Sequence, residues 1–238
     1  MTEEFTMLLL AAGVGYLIGS ISFARLIFAW KRPGEEPPRI RTVSTDGEAV
    51  IVTHAVGATS IMMTLGKKWG LTNMLLDLLK AFLPMVLLRL FYPEASYHLL
   101  LGVFVLIGHL WPVFHRFQGG GGNSTVLGMI LAASPLGFLV TQSAGMVIGM
   151  FFPALTFMAS AALSIPWFIV TRGLTSNETL FAFFMTFFYL LAQFPETLQF
   201  LRHKKAGHEF DTKYVMNMMK HASRRKTADL ESGKKGSL

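Results

Sequence analysis

Four consecutive glycines, Gly119, Gly120, Gly121 and Gly122, followed by Asn123, Ser124 and Thr125, are the part of this chain best suited to chemistry. Glycine has no Cβ, so successive backbone N–H groups are free to turn inward around an anion. The polar residues that follow add donors where the next helix is expected to begin, and helix N-termini hold anions. Ahead of the glycines, an apolar run ends in Gly108 and His109, passes Pro112, and meets His115 and Arg116. An anion loop at a membrane–water boundary suits a phosphorylated, lipid-linked substrate. A flexible turn between two membrane helices is the other reading of the same residues.

Further candidates lie on both sides of that loop. Gly57, Thr59 and Ser60 form a second possible anion-binding turn, or simply a turn with a helix cap. His54 just before them is a candidate base, because an ordinary imidazole titrates near 6.5. Asp77 and Lys80 are three residues apart in an apolar stretch and therefore share a helix face. A charge at mid-membrane costs at least ~2.5 kcal/mol on insertion scales, so such residues persist when paired or functional. His109 is an intramembrane histidine. It is a candidate for proton transfer, or for capping a helix and orienting the glycine loop. Lys67 and Lys68 add positive potential, and Glu209 follows the last apolar run.

These residues must be positioned by membrane helices. Of 238 residues, 52% are hydrophobic and 15% charged, whereas soluble domains carry about 25% charged residues. Apolar runs are expected to span the bilayer over residues 6–30, 71–91, 98–115, 136–151, 154–170 and 179–200, with a short helix over 125–133. That makes about seven segments, some below the ~20 residues of a perpendicular span, so the short one must be buried against its neighbours. The acidic N-terminus lacks a basic leader, so the first run is expected to stay as an anchor. There is no cysteine, which excludes disulfides, thiolate catalysis and cysteine metal sites.

Basic residues set orientation. Lys31, Arg32, Arg39, Arg41, Lys67 and Lys68 lie between the first two spans, and another basic cluster follows the last. With both segments cytoplasmic, the N-terminus is outside, the C-terminus inside, and the number of spans odd. The basic tail over residues 210–238 is expected to be partly disordered and to face anionic headgroups, not nucleic acid. Within the loop over residues 31–70, two β-prone runs flank Asp46-Gly47, a strong hairpin signal.

Several motifs then agree in order and spacing. They are Gly19-Ser20-Ile21-Ser22-Phe23, Val56-Gly57-Ala58-Thr59-Ser60, Leu65-Gly66-Lys67-Lys68, Asp77-Leu78-Leu79-Lys80, Gly108-His109 with Pro112-Val113-Phe114, and Gly119-Gly120 with Gly122. Over residues 19–209 the chain resembles the PlsY family, the bacterial acyl-phosphate:glycerol-3-phosphate acyltransferases. It departs from the family pattern where two asparagines of the first cytoplasmic motif are missing. It departs again at Met63, where the family has an arginine, and at Gly121, where it has a lysine.

The resemblance implies an all-α polytopic membrane protein in the bacterial inner membrane, with its active face cytoplasmic; the small hairpin in the first loop is expected from Asp46-Gly47 and its flanking runs alone. It implies transfer of a fatty acyl group from acyl phosphate to glycerol 3-phosphate or a related small acceptor in phospholipid synthesis, with no metal, cofactor or covalent intermediate. In that scheme His54, His109 and Ser60 are the catalytic candidates. Gly57, Thr59, Lys67, Lys80, Gly119 to Gly122, Ser124, Thr125 and Glu209 are the phosphate-binding ones. The absence of cysteine and of a Ser-His-Asp arrangement also argues for direct transfer. The alternative is a catalytically inactive paralogue that keeps the fold and binds lipid or a partner protein.

Overall fold

The structure is a computed structural model that describes residues 2–37, 40–53, 55–152 and 155–208. Its helices are α1 (Thr2–Ser20), α2 (Phe23–Lys31), α3 (Ala58–Leu65), α4 (Lys67–Phe91), α5 (Tyr97–Leu110), α6 (Asn123–Ala133), α7 (Pro135–Phe151), α8 (Thr156–Arg172) and α9 (Asn177–Lys205). A 3-10 turn covers Val113–His115, and β1 (Ile40–Val43) pairs with β2 (Val50–Thr53). His54, Glu209 and the tail over 210–238, with its expected disorder, lie outside the described residues. The chain divides into two units: residues 1–22 with 75–194, and residues 23–74 with 195–238.

Among the described residues, Thr2–Lys31, Tyr97–His115 and Asn177–Lys205 are long and apolar enough to cross a bilayer. The expected span over 6–30 is not one continuous helix. It breaks at Ile21 and Ser22, where Ile21 N–H reaches back only three residues, to Ile18 O at 3.2 Å. The physical cause is a competitor for the backbone: the Lys80 ammonium takes the carbonyls of Gly19 and Ile21, at 3.2 and 3.1 Å.

In the first unit, α1 lies against α5 through glycine. A Cβ on Gly15 would sit 2.6 Å from Leu101 O, one on Gly19 2.1 Å from Val105 O, and one on Gly108 2.2 Å from Tyr16 O. Gly15 and Gly19 are four residues apart, hence on one helix face, and small residues at that spacing let membrane helices approach backbone to backbone. The core around this contact includes Val105, Leu106, Met129, Ile130, Ala161, Phe181, Met185 and Tyr189. The short helix α6 is buried as its length requires, with Val126, Met129 and Ile130 enclosed. Gly128 lies against the Leu78 carbonyl of α4, where a Cβ would come within 2.2 Å. Ser134 ends α6 and starts α7: its Oγ accepts the Gly137 N–H at 3.0 Å, with Pro135 at the first helical position.

In the second unit, the Asp46-Gly47 turn joins β1 to β2 as an antiparallel hairpin, with Val43 opposite Val50 and Ile40 opposite Thr53. Gly47 adopts φ 78°, which only glycine does at little cost. The Ser44 hydroxyl donates to Asp46 Oδ1 and accepts the Ala49 N–H. Asp46 Oδ2 meets His208 Nδ1 at 2.7 Å, and Thr53 Oγ1 donates to Glu196 Oε2 at 3.3 Å, tying the hairpin to the end of α9. Trp30 and Trp69 meet edge to face at 5.3 Å, with Lys31 Nζ 3.8 Å from the Trp30 ring centre and 4.4 Å from that of Trp69. Such aromatic and cationic pairs are at home at headgroup level.

Candidate functional site

The glycine loop is the centre of the first unit's site, and its four residues do different things. Gly119 is wedged against α5: a Cβ there would lie 2.1 Å from His109 O and 2.4 Å from Leu110 O. Gly120 commits its N–H to His109 O at 3.1 Å. Gly121 offers its carbonyl to Gln193 Nε2 at 2.8 Å. Gly122 adopts φ 84° and is the N-cap of α6, a left-handed conformation that side chains resist. The expectation that all four amides surround one anion is therefore corrected at Gly120, whose N–H already has a partner within α5.

Donors remain beyond it. The first intrahelical bond of α6 is Val126 N–H to Gly122 O, at 2.9 Å, and no side chain caps the helix. The amides of Asn123, Ser124 and Thr125 thus have no partner inside α6, and the positive end of the helix dipole lies there too. Thr125 Oγ1 is completely buried and has no hydrogen-bond partner among the described residues. A buried hydroxyl left without a partner costs about 1–3 kcal/mol, which a bound ligand can relieve. Asn123 is held from α9, where the Tyr189 hydroxyl donates to its Oδ1.

Tyr189 and Gln193 were not singled out from sequence. The available signal was weak: two hydrogen-bonding residues four apart, hence on one face, in the apolar stretch over residues 187–194 of α9.

The segment leading into the loop is strained. Arg116 and Phe117 both have positive φ, 52° and 59°, and a bulky residue in that region is an outlier. Phe117 N–H and His115 N–H both reach back to Pro112 O, at 3.0 and 3.2 Å. Such strain clusters at functional sites.

Beneath the loop, Asp77, Lys80 and His109 meet. Lys80 Nζ lies 3.1 Å from Asp77 Oδ1 and 2.7 Å from His109 Nδ1. All three are buried, at 3%, 6% and 7% exposure. An ammonium only donates, so His109 Nδ1 accepts, and the ring proton lies on Nε2. Asp77 and Lys80 are the neutralising interior pair that their spacing allowed, with His109 as a third member.

In the second unit, the Ser60 hydroxyl is occupied at the start of α3. It accepts the Gly57 N–H at 3.0 Å and donates to Gly57 O at 2.8 Å. This is the turn-and-cap arrangement, not a free nucleophile. Thr59, Lys67 and Lys68 are exposed.

Asp46 and Glu48 cluster with His208, their ligand atoms within 4.8 Å of one another. The hydrogen bond from His208 first, then those from the Ser44 hydroxyl and the Glu48 amide, hold the Asp46 carboxyl well below the usual carboxylate range.

Residues 9–205 match the family model described as glycerol-3-phosphate acyltransferase. A glycerol-3-phosphate acyltransferase of Pseudomonas putida (strain W619) is 33% identical over 180 residues, covering 76% of this chain and 77% of that protein. One of Myxococcus xanthus (strain DK1622) is 37% identical over 123 residues, and the matched stretch spans 51% of this chain but only 58% of that protein. The crystal structure of PlsY (YgiH), an integral membrane glycerol 3-phosphate acyltransferase, in its lysophosphatidic acid form superposes with a TM-score of 0.68 at 25% identity. That superposition covers 88% of this chain and 98% of the other.

Proposed function

The chain belongs to the glycerol-3-phosphate acyltransferase family, and from that premise we propose that it acylates glycerol 3-phosphate, or a related small acceptor, using acyl phosphate. In this reaction the acceptor hydroxyl oxygen bonds to the acyl carbon, the bond from that carbon to the phosphate oxygen breaks, and the hydroxyl proton leaves with the phosphate. The products are a lysophospholipid and inorganic phosphate. No covalent enzyme intermediate is needed, which suits a chain without cysteine and with Ser60 occupied in a cap.

The observation that carries this reading is the N-terminus of α6, where the amides of Asn123, Ser124 and Thr125 have no partner within the helix among the described residues and follow a loop held from both sides. His109 O holds Gly120 and Gln193 holds Gly121. Preorganised backbone donors stabilise charge developing on a phosphate or carbonyl oxygen without reorganising at the moment of reaction. Lys67, Thr59, Gly57 and Glu209 are proposed phosphate-binding residues from their places in the sequence, and His54 a base that takes the hydroxyl proton and passes it to the departing phosphate.

The same reading puts the protein in the bacterial inner membrane, crossing it about seven times with the basic segments and the active face cytoplasmic. A reporter fused to the C-terminus would be active only in the cytoplasm.

The catalytic test uses purified protein with acyl phosphate, with and without glycerol 3-phosphate. Acceptor-dependent phosphate release with formation of lysophosphatidic acid supports the proposal. Phosphate release that ignores the acceptor, or none with any small alcohol, overturns it.

A further inference from the structure

We propose that Lys80 is a positioning residue that fixes the glycine loop through His109, rather than a ligand for phosphate. Lys80 is the hub of a buried set of bonds reaching three backbone segments. Its Nζ donates to Gly19 O at 3.2 Å and Ile21 O at 3.1 Å, where α1 stops, and it contacts Asp77 Oδ1 at 3.1 Å and His109 Nδ1 at 2.7 Å. An ammonium has three N–H groups, and Gly19 O, Ile21 O and His109 Nδ1 already take them, with Asp77 as the ion-pair partner. A further bond to a phosphate would have to displace one of these.

His109 carries the effect onward. Its ring is held by Lys80 and its backbone carbonyl receives the Gly120 N–H, so one residue joins the buried ammonium to the loop. Gly119, pressed on that same carbonyl, leaves the loop no room to shift toward α5. The α1 end is stitched to the same stretch independently. The Tyr16 hydroxyl donates to Trp111 O at 2.9 Å, and the Val113 N–H points to Ser20 Oγ at 3.4 Å. The carbonyls at a helix C-terminus lack intrahelical partners and favour a cation. Lys80 therefore terminates α1 and anchors the loop with one charge, which Asp77 neutralises.

The kinetic consequence rests on the acyl-transfer reading, but the structural consequence does not, and the experiment separates them. Removing Lys80 alone would strip the buried Asp77 carboxylate of the ammonium that neutralises it, so the test is the paired variant Asp77→Asn with Lys80→Met. Hydrogen exchange at Gly120 is expected to rise about tenfold, while exchange within Thr156–Arg172 stays unchanged. The KM for the acceptor is expected to rise about tenfold with kcat within about threefold, the pattern of lost positioning of a binding loop.

A second pair guards against misfolding. His109→Asn keeps an acceptor near the place of Nδ1 and should retain loop protection, whereas His109→Ala should lose it. Unchanged Gly120 exchange in the folded paired variant, or equal protection in His109→Asn and His109→Ala, overturns the proposal. A collapse of kcat with Gly120 exchange intact also overturns it, since Lys80 would then act on the reacting atoms. If the wild type transfers no acyl group, the acyl-transfer reading fails and the exchange measurement still decides the role of Lys80.

Discussion

His109 Nδ1 lies 2.7 Å from Lys80 Nζ, so the intramembrane histidine accepts a hydrogen bond from a buried ammonium. Its opposite ring nitrogen carries the proton. In this arrangement His109 is a link between two backbone segments, and neither ring nitrogen is an open base. Under the proposed reaction, phosphate binding is then assigned to the backbone amides at the start of α6.

Gly119→Ala should abolish activity and loosen the loop. The added Cβ would sit 2.1 Å from His109 O, and backbone cannot yield as a flexible side chain does. Acyl transfer is expected to fall at least about a hundredfold, the scale of losing an oriented anion donor. Near-normal transfer by this variant would contradict the loop geometry described here.

Gly121→Lys should be accommodated. Its Cβ would meet nothing closer than Gln193 Nε2 at 3.8 Å, and Gly121 is not among the residues with positive φ. A cation at this position adds a charge-assisted bond to phosphate worth about 1.5–3 kcal/mol, so the KM for glycerol 3-phosphate should fall about tenfold or more. Steady-state kinetics at varied acceptor concentration would show it, and an unchanged or higher KM would contradict it.

Gly15→Leu or Gly19→Leu should destabilise the protein, because α1 and α5 touch through backbone there. Overpacking of this kind costs about 1–3 kcal/mol. Gly13→Leu is the control, since nothing lies within 4 Å of a Cβ at that position. Thermal unfolding in detergent should drop for the first two and hold for the third, and equal effects at all three would contradict the packing.

The Asp46–His208 contact should weaken as acid protonates Asp46. A carboxyl whose folded pKa is depressed stabilises the fold above its unfolded value, about 3.9, and loses that stabilisation as pH falls through the folded value. Carbon NMR of Asp46 should therefore titrate below the ordinary carboxylate range, and His208→Ala should move the midpoint upward. A midpoint at or above the ordinary value would contradict the contact.

Much of this was legible in the chain because it depended on local pattern. Asp46-Gly47 between β-prone runs gave the hairpin, and the spacing of Asp77 and Lys80 gave their shared face. The break after Ser20 was not legible, because its cause is Lys80, sixty or so positions away (Gly19 and Ile21 supply the carbonyls). The same holds for Gly120. Four glycines look equivalent in sequence, and only the proximity of His109 O assigns one of them an inward bond. Tyr189 and Gln193 escaped notice because a polar residue in an apolar helix does not reveal which neighbouring loop it meets.

In the proposed reaction the amides opening α6 hold the substrate phosphate. Amide spectra of protein labelled with nitrogen-15 at glycine, asparagine, serine and threonine, recorded with increasing glycerol 3-phosphate, test it most directly. The account predicts saturable shifts at Gly121, Gly122, Asn123, Ser124 and Thr125, with Gly120 moving least because its proton is committed to His109. Saturable shifts confined to other residues, or led by Gly120, would contradict it.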